Sequence, residues 1–133
     1  MKRIILFPIF IIALLFTSCS AVKTVSEMGA DGPNFVGTWT DSTNSSTANV
    51  TFTFKNTGYV KIVTSSVSTE DGIFVVTTST KHITISYSMV GVEVVKYDGT
   101  YDFATNGLSF TINGTVKTPS ETKSGIYKWY KQN

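Results

Sequence analysis

The sequence predicts an all-β domain: an antiparallel up-and-down meander of about eight short strands closing into a small barrel. Three observations carry this. In the 115 residues after residue 18, Val, Ile and Thr number 14, 6 and 20, whereas Leu occurs once (Leu108) and Ala four times. β-branched side chains suit a pleated surface, and the best helix formers are nearly missing. From residue 35 onward, apolar and polar residues alternate with a period of two, and turn residues fall between the runs. No segment is long and helical enough to serve as a parallel crossover, so neighbours in sequence should pair antiparallel. Such a meander must hide its edges, and barrel closure does so most completely; a two-sheet sandwich is the alternative.

The chain opens with a positive head of Met1, Lys2 and Arg3, an apolar run over residues 4–16 broken only by Pro8, and the small residues Thr17 and Ser18. This is the arrangement of a secretory signal peptide over residues 1–18. The apolar run rises only about 20 Å as a helix, short of the ~30 Å hydrocarbon core, which disfavours a permanent membrane span. The only cysteine, Cys19, follows directly. Residues 20–33 include Gly29, Gly32 and Pro33 and lack periodicity. With Cys19 they read as a flexible tether over 19–33, of about 20 Å reach, ahead of one folded domain over 34–133.

Within that domain, Val50, Phe52 and Phe54 point one way and Thr51 and Thr53 the other, before a turn at Asn56, Thr57 and Gly58. The next strand, residues 59–64, faces Val60 and Ile62 inward, and residues 65–72 read as a polar loop. Strands over 73–79 and 81–89 follow, the second with Ile83, Ile85, Tyr87 and Met89 on one face and His82, Thr84, Ser86 and Ser88 on the other. A strand over 92–97 has no clear facing. Asp98 and Gly99 read as a tight hairpin turn, leading into Tyr101 and Phe103. Asn106 and Gly107 give another hairpin, ahead of Leu108, Phe110 and Ile112. After a polar stretch over 113–124, the last strand puts Tyr127 and Trp129 on one face. The expected core includes Trp39, Phe52, Phe54, Ile83, Ile85, Phe103, Leu108 and Phe110.

Two groups of residues carry a resemblance. Leu15, Phe16, Thr17, Ser18 and Cys19 resemble the lipobox of bacterial lipoproteins, although Phe16 stands where Leu, Val or Ile is usual. Gly37, Thr38 and Trp39, then Phe52 to Lys55 with Gly58, look like the opening of lipocalin-like domains in small bacterial lipoproteins. The late hairpin around Tyr101, Phe103, Asn106, Gly107 and Phe110 and the closing Tyr127, Lys128, Trp129, Tyr130 are similar to theirs. The resemblance implies a bacterial lipoprotein with a lipocalin-like barrel, cleaved before Cys19 and acylated there. It implies a lipid anchor in the cell envelope, most simply the outer membrane because Ser20 is not Asp. Two or more acyl chains would make that anchoring stable.

After residue 18 the chain carries nine basic and nine acidic residues. Neutrality without a basic stripe argues against nucleic acid as a partner. His82, the sole histidine, shares a polar strand face, and catalysis would want an orienting partner and a nucleophile elbow that the sequence lacks. One histidine and one committed cysteine cannot supply a zinc site, and Glu70 and Asp71 are the only adjacent carboxylates, best read as a loop terminus. Neither enzymatic activity, nor a metal, nor a cofactor is expected. The aromatics read either as a filled core or as the lining of a pocket, with Trp39, Tyr87, Tyr101 and Trp129 the ligand-binding residues in the second case. The expected function is therefore a monomeric, membrane-anchored binder of a small apolar or amphipathic ligand. The alternative is an interaction, assembly or inhibitor lipoprotein with a filled barrel that engages another envelope protein.

Overall fold

The computed structural model describes residues 22–133; the segment read as a signal peptide over 1–18 and Cys19 lie outside the described residues. Eight strands follow in order among those described: β1 Gly37–Thr40, β2 Thr51–Phe54, β3 Tyr59–Val63, β4 Ser68–Thr77, β5 His82–Met89, β6 Val92–Phe103, β7 Ser109–Lys117 and β8 Thr122–Lys131. Each pairs antiparallel with the next, and β8 returns to β1 through Trp39↔Lys131 and Thr40↔Tyr130. The closed meander is thus the architecture that alternation and short turns predict, and it is consistent with a lipocalin-like barrel.

The wall is uneven. Strands β1 to β3 have four or five residues each and β4 to β8 have eight to twelve. One end, with the β2–β3, β4–β5 and β6–β7 turns, is covered by the segment ahead of β1. There 3₁₀ turns over Val25–Met28 and Gly32–Phe35 bury Val25, Met28 and Phe35. The other end, with the β1–β2, β3–β4, β5–β6 and β7–β8 connections, forms a mouth.

The described part of the segment read as a flexible tether is therefore docked. Val25 N–H donates to Asn56 O, Asp31 N–H to Thr78 Oγ1, and Thr78 Oγ1 to Met28 O, while Val22 and Lys23 lie against Gly58. Its apolar residues, Val25, Met28 and Phe35, are too sparse to show periodicity but suffice to cap an open barrel end. The tall wall explains the other differences. Asp98 and Gly99 do not turn; they lie mid-strand in β6, where Gly99 opposes Gly114 of β7. The polar stretches 65–72 and 113–124 are largely strand, leaving only residues 64–67 and 118–121 as connections, because strands with one wet face need few apolar residues. Glu70 and Asp71 consequently lie inside β4, and Glu70 pairs with Lys55 and Lys61 across the outer face at 2.7 and 3.2 Å.

The core consists chiefly of Phe35, Trp39, Phe52, Phe54, Val60, Ile62, Phe74, Ile83, Ile85, Phe110, Ile112 and Trp129. Leu108, expected inside, is 55% exposed because it sits in the β6–β7 turn, and Phe103 is only partly buried.

Candidate functional site

The barrel axis is packed with aromatic rings from the capped end to the mouth. Phe35 stands at the capped end with its ring centroid 4.7 to 5.7 Å from Phe54, Tyr101, Phe103 and Phe110, mostly edge to face, an arrangement that adds to plain burial. Phe110 meets Trp39 at 4.9 Å, and Trp129 packs on Phe52 at 4.4 Å and on Tyr97 at 5.7 Å.

The four residues expected to line one pocket are separated by this packing. Trp39 is fully buried and donates its indole N–H to Phe35 O at 2.8 Å, which ties β1 to the cap. Tyr101 faces the same end, where its hydroxyl donates to Asp31 Oδ2 at 2.6 Å. Tyr87 is half-buried on β5, against the edge of the core. Like Tyr87, whose ladder partner Val95 lines the mouth, Trp129 lies on the mouth side of the packing, and its Nε1 is buried with no hydrogen-bond partner among the described residues.

Asp31 is the polar clasp of the cap. It also accepts from Lys81 Nζ at 2.6 Å, and its side chain is only 16% exposed. The Lys81 hydrogen bond, followed by that from Tyr101, outweighs burial and holds the carboxyl below the ordinary carboxylate range. Burial first, then the Asp31 bond and charge, push the Tyr101 hydroxyl up. A depressed folded pKa contributes stability that is present above the unfolded value and is lost as pH falls through the folded one. Wild type should therefore lose stability more steeply than Asp31→Asn below about pH 4. Urea unfolding at a series of pH values would show it, and equal slopes would refute the clasp.

Outside the core the surface holds open hollows. One of about 660 Å³ lies at the capped end, lined by Asp31, Lys81, Tyr101, Asp102, Asn106 and Lys131 and mostly polar. At the mouth a more apolar hollow of about 500 Å³ is lined by Val50, Val67, Val94, Val95, Tyr97 and Val116. Beside it a cleft of about 400 Å³ runs between Asp41 and β8, with Tyr97, Tyr127 and Trp129 along it. Tyr97 borders both. Burial, then the Asp41 charge and Tyr127, push its hydroxyl up to about 12, so it stays protonated and able to donate at any physiological pH.

Sequence reasoning missed Tyr97 for a structural reason. The ladder shifts between Tyr87 and Ser88, which oppose Val95 and Glu93, leaving Val94 as an extra residue in β6. That bulge breaks the alternation before Tyr97 and turns Val95 and Tyr97 inward. His82 has an orienting partner after all, with Nε2 2.7 Å from Asp98 Oδ1, which also accepts from Thr84 Oγ1 at 3.3 Å. The pair lies on the outer wall, and neither residue borders any of these hollows. Among the described residues no three His, Cys, Asp or Glu side chains group as a metal site.

Comparison with known proteins found no matching family model, no matching curated protein and no matching solved structure.

Proposed function

We propose that this protein is a lipid-anchored lipoprotein of the bacterial envelope that binds another protein on its outer surface, with neither catalysis nor a ligand carried in the lumen. The supporting observation is the packed axis: Trp39, Phe52, Phe54, Phe74, Phe110 and Trp129 are each no more than 2% exposed, and the hollows lie at the ends and rim. A carrier of the lipocalin type needs an enclosed apolar space that buries most of its ligand. An anchor at Cys19 also suits this reading. Only Ser20 and Ala21 separate it from Val22 at the capped end, three peptide steps that span about 11 Å at most. The anchor would thus hold the cap near the lipid and present the mouth and tall wall to partners.

Cys19→Ala should leave the fold intact but abolish acylation, so that the variant partitions into water while wild type stays with detergent. Intact mass and detergent partitioning test this, and a wild type without acyl mass would sink the lipoprotein reading. In parallel, a fluorescent fatty acid titrated against wild type and Tyr97→Ala should give no saturable quenching of the tryptophans. Saturable binding lost in Tyr97→Ala would instead place a small apolar ligand in the valine-lined mouth.

A further inference from the structure

The upper half of β8 has a free edge. β8 pairs with β7 over nine residues, from Thr122 to Tyr130, but with β1 only at Tyr130 and Lys131. The direction of its backbone groups follows from the bonds at its foot. Lys131 N–H donates to Leu108 O on the β7 side, and Gln132 N–H donates to Thr38 O on the β1 side. Backbone groups alternate along a strand, so the N–H and C=O of Ser124, Ile126 and Lys128 point toward β1, which ends at Thr40 and does not reach them. None of the three has a hydrogen-bond partner on that side among the described residues.

Along this edge β8 has neither a bulge nor a proline, and among the described residues Asp41 and Val50 of the β1–β2 connection stand across a cleft from it. Ile126 is 71% exposed. β8 carries Lys123, Lys128 and Lys131 and no carboxylate. Lys123 pairs with Glu121, whereas Lys128 has no carboxylate partner among the described residues and lies over the Tyr130 ring at 5.3 Å. Three lysines oppose pairing with the same strand of another copy and favour a strand bearing carboxylates. The cleft between Asp41 and β8 runs beside this edge, and Trp129, whose N–H lacks an acceptor, lines it.

The geometry points to the β8 edge at Ser124, Ile126 and Lys128 as the docking site for an extended acidic segment of a partner protein, added antiparallel as a further strand. This rests on the reading that the protein binds partners on its outside. The added strand would satisfy the three free residues by main-chain pairing, set a carboxylate against Lys128 and an apolar side chain against Ile126. An inward side chain with a carbonyl oxygen would enter the cleft toward the Trp129 N–H. Strand addition to an exposed edge draws affinity from main-chain bonds and specificity from alternate side chains.

The test uses the full chain, ¹⁵N-labelled in detergent micelles, titrated with the end-blocked peptide Glu-Asn-Val-Asn-Thr and its charge-reversed control Lys-Asn-Val-Asn-Thr. The acidic peptide should move and protect the amides of Ser124, Ile126 and Lys128 and shift the Trp129 indole signal, leaving Gly125 and Tyr127 amides protected as before. Ile126→Pro removes one outward N–H without touching the β7 ladder and should weaken binding about tenfold. Lys128→Glu, which leaves the backbone alone, should reverse the preference between the two peptides. Absence of shifts at about 5 mM peptide, above the millimolar Kd expected of so short a strand, overturns the proposal. Unchanged binding by both variants overturns it as well. Crosslinking in host envelopes separates the two levels: a partner held equally by wild type and both variants removes the β8 edge but keeps outer-surface binding, whereas a wild type holding only a small lipid removes both.

Discussion

Phe35→Ala should destabilise the protein by about 3 to 5 kcal/mol, the range for deleting a large aromatic from a packed core. Phe35 precedes the first strand, yet it is fully buried and its ring, in the cap, meets four others on three strands. Truncation would leave a void at the barrel axis that the surrounding strands, fixed by their ladders, cannot collapse into. Leu108→Ala is the matched control, since Leu108 is largely exposed in a turn and should change stability by less than about 0.5 kcal/mol. Urea unfolding followed by tryptophan fluorescence reads both. Equal effects at the two positions would mean that the cap is not part of the folding unit.

Gly99→Val should be as damaging, through the backbone. Gly99 of β6 and Gly114 of β7 oppose each other with no room for side chains; a Cβ on Gly99 would run into the Asn113 carbonyl, and one on Gly114 into that of Asp98. Backbone atoms held in a ladder cannot swing aside as a side chain does, so β6 and β7 must part locally. We expect a loss of about 3 kcal/mol or more, or failure to fold, as for other large effects with a named steric cause. Gly107→Ala is the contrast: Gly107 has φ +69° with open space around it, so only the backbone preference is lost, about 1 kcal/mol. Thermal unfolding of the two variants distinguishes them, and a Gly99→Val protein as stable as wild type would contradict the close pairing of β6 and β7.

The same glycine shows where the sequence was legible and where it was not. An Asp-Gly pair between alternating runs is the usual hairpin signal, and Asn106-Gly107 obeys it, with Gly107 in the left-handed region. Asp98-Gly99 does not, because its glycine serves a close crossing between two long strands, and local pattern cannot tell a turn glycine from a packing glycine. Strand existence and pairing order follow from Phe52, Phe54, Ile83 and Ile85, whose alternation maps directly onto buried positions. The cap escaped notice because Val25, Met28 and Phe35 have no common period. At the rim, Trp129 was legible as an inward aromatic, whereas Tyr97 lay hidden behind the Val94 bulge. The free edge of β8 follows from the shortness of β1 relative to β8, a property of two strands about 90 residues apart that no local pattern records.

Native mass spectrometry of the full-length protein, released from its host's envelope in gentle detergent, tests the central claim most directly. If the filled barrel works through its outer surface, the spectrum should show the acylated chain alone or joined to a second protein, with no small molecule retained when the detergent is stripped. A stoichiometric small apolar molecule that survives stripping, and leaves only when the barrel unfolds, would contradict the account and return the lumen to the role of carrier.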